Sequence, residues 1–290
     1  MQNKILILIT TIFFISLTAI CYAEDNNLFS FIAYYYQSKG SRWHNILTIN
    51  NDWTAEYYRP DNIYSDKNFY LPGKATGKIP VEIANKILAN LRDFKFDSNQ
   101  KPHPLSITHQ SLLVIRNLSG KIIEQPYPDE QHLELLPAYN EIEEVFLQAI
   151  QYINEHGNTA YISFEANATL DDERFVTFTF KIINTGNTAI TIENLYNMDK
   201  FASSFYSKTG VGPRYNKNNT ILLNANFDLK QEIIQFIPNE PLLMEFLSKE
   251  PVTSGPLSFS IALKIKEVND SGEEICIFTT GSVVVSFDLN

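Results

Sequence analysis

The sequence predicts two folded parts, an α+β domain at residues 24–157 and an all-β domain at residues 158–290. In the first part, runs of β-branched and aromatic residues alternate with two amphipathic helical patterns, each opened by a proline. From Thr159 onward the helical patterns stop, and eight strand-like runs follow with turn sequences between them. We therefore expect an N-terminal antiparallel sheet with two helices, followed by a C-terminal immunoglobulin-like β-sandwich.

Residues 1–23 predict a secretory signal peptide. Lys4 gives a positive start, residues 5–20 are apolar apart from Thr and Ser, and residues 21–23 offer a cleavage site with small first and third positions. Two alternatives stay open. An uncleaved membrane anchor is disfavoured by the shortness of the apolar run, and lipidation at Cys21 is disfavoured by the bulky Ile20 before it. The expected location is periplasmic or secreted.

Charge and cysteine content restrict the partners and the compartment further. The chain has 23 Lys and Arg against 33 Asp and Glu, a net charge of −10, which disfavours nucleic acid or an anionic membrane surface as the main partner. No second apolar stretch is long enough to span a bilayer, so the mature protein is expected to be soluble. After loss of Cys21, Cys276 has no intramolecular disulfide partner, and its strand-like surroundings predict a small buried apolar residue.

The N-terminal part predicts five strands and two helices. Residues 60–77 lie between the third strand and the first helix and predict a long aromatic loop. Pro80 opens the first helix, while Pro137 opens the second, which ends at Gly157. The predicted strands cover residues 29–37, 43–49, 53–59, 112–116 and 121–125.

The C-terminal part is organised around residues 175–194, which predict a β-hairpin. Val176, Phe178 and Phe180 alternate with polar residues, and residues 184–187 (Asn-Thr-Gly-Asn) favour a tight turn before the return strand. Residues 269–272 (Asn-Asp-Ser-Gly) predict a second hairpin near the end of the chain. The predicted strands cover residues 160–166, 175–183, 189–193, 220–223, 232–236, 256–266, 274–280 and 282–288.

Two short segments resemble known inhibitor families. The order of N-terminal elements, with residues 76–80 (Thr-Gly-Lys-Ile-Pro) leading into the helix, resembles bacterial secreted domains of the emfourin type, which inhibit thermolysin-like metalloproteases. Residues 178–187 resemble the strand and Asn-Thr turn of several bacterial sandwiches, among them the BsuPI inhibitors of intracellular subtilisin. Both resemblances imply protease inhibition, and neither assigns a role to an individual residue.

The sequence lacks the common catalytic patterns, so it predicts no enzyme, no metal site and no cofactor. The sequence contains no H-E-x-x-H, no G-x-S-x-G and no phosphate-binding glycine loop. Glu141, Glu143 and Glu144 are expected on the solvated face of the second helix. Residues 171–173 could bind a cation, but an acidic turn is the simpler interpretation. None of the histidines forms an i, i+4 pair; they are His44, His103, His109, His132 and His156.

Two long loops are the predicted partner-binding segments, because binding residues concentrate on loops and because Tyr and Arg are enriched at hot spots. Residues 60–76 carry three aromatic candidates and residues 201–220 carry four further candidates. The candidate contacts are Tyr64, Phe69, Tyr70, Phe205, Tyr206, Arg214 and Tyr215.

These observations predict an exported, soluble, non-enzymatic protein that binds another protein, as an inhibitor of a hydrolase or an immunity protein against a secreted toxin. The alternative is a structural or adhesive module of the cell envelope that acts through pairing of an exposed strand edge. An enzyme whose site is assembled from scattered acids and tyrosines is a third possibility.

Overall fold

A computed structural model describes residues 29–36, 45–60, 71–96, 111–128, 132–196, 206–207, 220–251, 257–261, 263–280 and 283–287. The fold is mostly antiparallel β-sheet with two helices, which confirms the coarse fold class. The chain divides into two units. Unit 1 comprises residues 1–36, 46–57 and 76–157, and unit 2 comprises residues 37–45, 58–75 and 158–290.

Unit 1 combines β-strands in the order β4-β3-β2-β1-β5-β6 with two helices, and the division between the units falls within β2, β3 and β4. Strand β5 shows why the sheet has one buried face: Ser111, Leu113 and Ile115 are buried and alternate with half-buried residues. The elements are β1 (Phe31–Tyr36), β2 (Asn45–Asn50), β3 (Thr54–Arg59), β4 (Gly73–Lys78), α1 (Val81–Asp93), β5 (Ser111–Arg116), β6 (Ile122–Pro126) and α2 (Leu136–His156).

Both helices begin where the prolines predict. Pro80 has extended backbone angles and directly precedes α1, and the second proline lies in the first turn of α2. The buried stripe of α2 includes Tyr139, Phe146 and Ile153. Gly157 follows the last turn and donates its N–H to the Ile153 carbonyl, in an extended conformation rather than a left-handed one.

Strand β4 corrects the prediction of an unbroken loop over residues 60–77. Its sequence, Gly-Lys-Ala-Thr-Gly-Lys, lacks the alternation of apolar side chains that marks a strand. The close approach of another backbone selects glycine there, since a Cβ on Gly73 would lie 2.3 Å from the Ala160 carbonyl oxygen. This strand depends on tertiary pairing, which local sequence does not reveal.

Unit 2 contains the described strands that follow α2, in addition to the parts of β2, β3 and β4 that fall in it. They lie in the orders β11-β13-β8-β7, β12-β9-β15-β16 and β10-β14-β17. The elements are β7 (Asn158–Leu170), β8 (Val176–Asn184), β9 (Ile190–Glu193), β10 (Tyr206–Ser207), β11 (Thr220–Ala225), β12 (Ile233–Phe236), β13 (Leu242–Ser248), β14 (Leu257–Ile261), β15 (Lys264–Val268), β16 (Glu274–Thr279) and β17 (Val283–Phe287).

One hydrophobic core joins the first two of these strand groups. Phe178 and Phe180 of β8 are buried in the same cluster as Ile192 of β9, Phe236 of β12 and Phe278 of β16. The inward residues of each strand alternate with half-buried or exposed ones, as in β8 and β13. Burial of these side chains supplies the main stabilisation of unit 2.

The predicted hairpin at residues 175–194 is wrong. Strand β8 pairs with β7 and β13, whereas β9 pairs with β12 and β15, so residues 184–187 carry the chain from one sheet to another. The Asn184 side chain stabilises this crossing, because its Nδ2 donates to the carbonyls of Thr188 (2.8 Å) and Phe236 (3.0 Å). The Thr159 carbonyl accepts the N–H groups of Asn187 and Thr188.

The hairpin partner of β8 is the preceding strand β7. The acidic turn at residues 171–173 connects them, with the Asp171 carboxylate accepting the Phe175 N–H at 2.7 Å and Arg174 at a φ of 68°. The acidic residue therefore organises a turn, which matches the simpler interpretation of this cluster.

Two further strand assignments change. Strand β13 lies in a stretch for which the sequence predicted none, and its Leu242, Met244 and Phe246 alternate into the core. The single strand predicted at residues 256–266 is divided into β14 and β15, which belong to different sheets. The hairpin of β15 and β16 is confirmed, with Gly272 at a φ of +83° in its turn.

No helix within the described ranges is long and apolar enough to cross a membrane.

Candidate functional site

Most residues predicted to contact a partner lie outside the described part of the chain. This applies to Tyr64, Phe69, Tyr70, Phe205, Arg214 and Tyr215, and also to the predicted signal peptide. Tyr206 belongs to β10, where it pairs with Ser260 of β14.

Strand β11 is a surface feature that the sequence analysis did not single out. It pairs with β13 on one side, and within the described ranges no strand lies beyond it on the other. Main-chain N–H and C=O groups on the outer side of such a strand are available to pair with another polypeptide. A bulge at Leu223, between the pairs Leu222–Phe246 and Asn224–Glu245, places two successive side chains on the outward face.

The outward face of β11 and β13 is largely apolar. Ile221, Leu223 and Leu243 are 48%, 50% and 41% exposed, and Leu247 is half-buried opposite Ile221. Leu222 and Ala225 instead pack against the core, which fixes the direction of their neighbours. We call the outward set of Ile221, Leu223, Asn224, Leu243, Glu245 and Leu247 the β11–β13 face.

Strands β12 and β16 are the two edges of their sheet, and each has a main-chain carbonyl that already accepts a hydrogen bond from a side chain. The Tyr58 hydroxyl donates to the Ile277 carbonyl of β16, and Asn184 donates to the Phe236 carbonyl of β12. For residues 221–225, the described contacts include no comparable side-chain donor or acceptor. The edge of β11 is therefore better suited than these two to receive a strand from another molecule.

A first polar cluster lies between the sheet and α2 in unit 1. The buried Tyr34 hydroxyl donates to Glu143, and the hydroxyls of Ser111 and Tyr139 are 3.0 Å apart. Glu143 is half-buried here, so its predicted place on the solvated face of the helix is wrong. Its position four residues after buried Tyr139 and three before buried Phe146 could have indicated this contact.

Burial suppresses the ionisation of the two phenols in this cluster, Tyr34 and Tyr139. Burial is the main cause that raises the Tyr34 pKa above its ordinary value of 10.0, and the hydrogen bond to Glu143 raises it further. Burial also raises the pKa of Tyr139. Both phenols are therefore neutral near pH 7, and the cluster holds α2 on the sheet through hydrogen bonds and ring contacts such as Tyr34–Phe146 (centroids 5.2 Å apart).

A second polar cluster lies in unit 2. The Lys74 ammonium forms an ion pair with Glu267, whose side chain is only 5% exposed. The Cys276 thiol donates to the second oxygen of the same carboxylate at 3.1 Å. Cys276 is half-buried and hydrogen-bonded, so its predicted role as a buried apolar residue is only partly correct. The ion pair and this thiol together satisfy a carboxylate that would otherwise be costly to bury.

Metal-binding side chains do not converge in the described ranges. No group of three or more His, Cys, Asp or Glu residues there is arranged to hold a metal ion. The two polar clusters serve internal contacts, whereas the β11–β13 face is directed outward.

The comparisons with known proteins add no family. No protein-family model and no curated protein matches the chain. Among solved structures, it aligns with a two-domain protein containing a predicted PHP-like metal-dependent phosphoesterase from Bacteroides vulgatus, at 9% identity and a TM-score of 0.17 over 61% of this chain and 38% of that one. It also aligns with the thioester domain of the Enterococcus faecium TIE86 protein, at 10% identity and a TM-score of 0.16 over 88% and 96% of the two chains. At these TM-scores, neither alignment carries a conclusion about fold or function.

Proposed function

We propose that the chain is an exported, non-enzymatic protein that binds another protein through the edge strand β11. Its partner is a hydrolase that it inhibits or a secreted toxin that it neutralises. The observation that carries the proposal is the β11 edge, where main-chain groups and the exposed side chains of Ile221 and Leu223 lie together. Strand addition uses this combination, since main-chain hydrogen bonds give affinity and alternate side chains give specificity.

Two further features support the proposal. The sequences of residues 76–80 and 178–187 resemble segments of inhibitor families, and residues 1–23 have the pattern of a signal peptide. The immunoglobulin-like arrangement of unit 2 belongs to the same proposal, supported by the core that the β8 and β9 sheets share. Arg214 and Tyr215, which the sequence places in a predicted loop, are proposed as additional contacts.

Position-specific crosslinking tests the proposed surface. A photo-crosslinking amino acid replaces Leu223 in the predicted mature chain, residues 24–290, and the protein is irradiated with envelope and secreted fractions of the native source. A matched control carries the same group at Ile275, which is 54% exposed on β16. We expect one polypeptide to crosslink at position 223 and not at position 275. Equal labelling at both positions, or none at 223, would contradict the proposal.

The identity of the crosslinked partner then tests the form of the function. A hydrolase or toxin should lose activity when the mature chain is added at an equimolar concentration, and a variant with Arg214→Ala and Tyr215→Ala should inhibit less at unchanged thermal stability. If the partner keeps its full activity at a saturating concentration of the mature chain, inhibition and neutralisation are contradicted, and only the proposal of binding stands.

The second candidate is an envelope module in which two copies pair through β11. It is favoured by the absence of charged residues within β11, since two antiparallel copies of this strand bring no like charges together. Sedimentation velocity distinguishes it: the wild type should dimerise with increasing concentration, and Leu223→Lys should remain monomeric because two ammonium groups would be brought together. A wild type that stays monomeric at all concentrations would exclude this candidate.

A further inference from the structure

We propose that the segment received by β11 is an extended strand with a lysine or arginine between two apolar residues on one face, and that this cation pairs with Glu245. This inference rests on the proposed function and specifies its ligand. It follows from the one acidic side chain within the β11–β13 face.

Glu245 lies at the centre of this apolar face. It follows Leu243 and precedes Leu247 at two-residue spacing on β13, so all three side chains share the outward side. Asn224 of β11 and Thr179 of β8 are its cross-strand neighbours. Among the described contacts, the half-buried Glu245 carboxylate has neither a hydrogen bond nor an ion pair.

The lysine on the neighbouring strand β8 is already engaged. Lys181 of β8 lies opposite Leu243, and its Nζ is 3.1 Å from a carboxylate oxygen of Glu165 on β7. Glu165 therefore has a cation from its own sheet, whereas Glu245 has none among the described contacts. The Glu245 carboxylate is thus the one of the two that a cation from a partner can pair with.

Binding of a partner changes the environment of Glu245. A strand added to β11 would cover Ile221 and Leu223 and remove water from the neighbouring carboxylate. A carboxylate that loses water without gaining a cation or a donor opposes binding. A partner that is apolar at every outward position would therefore bind poorly, and a cation at the centre of the strand would turn this cost into attraction.

The geometry allows a long side chain to make this pair. Adjacent strands lie about 4.8 Å apart, so a strand beyond β11 would lie about 10 Å from β13. The side chain between them is Asn224, which is short and exposed and leaves room above β11. The long side chains of Lys and Arg can extend across it toward Glu245.

Synthetic strands test the inference directly. The probe is the peptide TVTKTVT-amide with fluorescein on its N-terminal amine through a short linker, so that the lysine ammonium stays free; valine, lysine and valine share one face. Two matched peptides carry glutamine or glutamate in place of the lysine. Binding to the predicted mature chain is measured by fluorescence anisotropy at low salt, where charge effects are largest.

On the wild type, we expect the lysine peptide to bind about tenfold more tightly than the glutamine peptide, and the glutamate peptide to bind most weakly. Glu245→Gln should remove the preference for lysine, and Glu245→Lys should reverse it. The control Glu165→Gln changes a carboxylate of the same sheet that already has a cation, and it should preserve the preference. Unchanged thermal unfolding midpoints confirm that each variant is folded.

The outcomes separate this inference from the proposed function. Equal binding of all three peptides, blocked by changes in β11, would overturn the assignment of the cation while strand addition stands. A lysine preference that persists in Glu245→Gln would also overturn it. Binding of none of the peptides would overturn this inference, while the crosslinking at position 223 would still decide the proposed function.

Discussion

Tyr34 shows how burial controls the chemistry of a single residue. Its hydroxyl donates to Glu143 of α2, and its ring stacks on Phe146 of the same helix. Burial disfavours the phenolate and raises the pKa of Tyr34 in the folded chain. The fold is therefore expected to lose stability at alkaline pH.

The first prediction concerns this alkaline pH dependence. Below the ordinary tyrosine pKa of 10.0, the phenols are protonated in both folded and unfolded chains, so they contribute no pH dependence. Above pH 10 the unfolded chain loses protons that folded Tyr34 and Tyr139 retain, and the free energy of unfolding falls by about 1.4 kcal/mol per pH unit for each phenol. Urea unfolding between pH 8 and 11.5, followed by circular dichroism, measures the decline.

Variants identify the groups responsible. Tyr34→Phe should be less stable at pH 8, because Glu143 loses its donor, yet its stability should fall less steeply above pH 10. The double variant Tyr34→Phe, Tyr139→Phe should have the shallowest decline. Equal slopes in the wild type and the double variant would show that other groups control alkaline unfolding.

The second prediction concerns the ion pair of Lys74 and Glu267. Lys74→Met leaves the Glu267 carboxylate buried without its cation, and we expect the free energy of unfolding to fall by about 3 kcal/mol, the lower end for a broken buried pair since the Lys74 side chain is 20% exposed. Combining Lys74→Met with Glu267→Gln removes the charge and should restore most of this stability. Urea unfolding at pH 7 compares them. A single variant as stable as the wild type would show that solvent or the Cys276 thiol already stabilises the carboxylate.

At the scale of elements, the crossing at residues 184–187 shows that a turn sequence does not determine which strands pair. Asn and Gly are suited to a tight hairpin turn, but here the Thr159 carbonyl and the Asn184 side chain satisfy the turn's main-chain groups. Strand β8 has partners on both sides, so β9 pairs in the other sheet.

The third prediction tests the packing of this crossing. A Cβ added to Gly186 would lie 2.1 Å from the Thr159 carbonyl oxygen and 2.7 Å from the Ala160 Cα. Since the obstacle is main chain, Gly186→Ala should lower the free energy of unfolding by about 2 to 3 kcal/mol. Gly77→Ala is the matched control, because its Cβ would meet neighbours only from 3.4 Å outward. Chemical denaturation compares them, and equal losses would contradict the close approach at Gly186.

At the scale of the whole molecule, net charge opposes contact between copies. The chain carries −10 at pH 7 and has an isoelectric point near 5.0. Repulsion at neutral pH therefore counteracts the attraction of the exposed apolar side chains on β11.

The fourth prediction follows from that balance. Lowering the pH from 7.5 to 5.0 removes the net charge, and we expect self-association through β11 to increase. Replacing Ile221 and Leu223 by threonine lowers the exposed apolar area without changing the charge, so this variant should associate less. Ile275→Thr is the control on another exposed strand. Light scattering at both pH values measures the difference, and identical behaviour of all three proteins would exclude β11 as the contact.

The sequence by itself determined the coarse fold class, the start of both helices, most strand positions and the hairpin of β15 and β16, because these depend on local periodicity, proline and turn residues. Tertiary structure alone decided that β8 and β9 belong to different sheets and that the glycine-rich residues 73–78 form a strand. The β11–β13 face belongs to this second group. Its side chains come from strands that are separated in sequence and aligned by hydrogen bonds, and pairing between distant strands leaves no period in the sequence of either one.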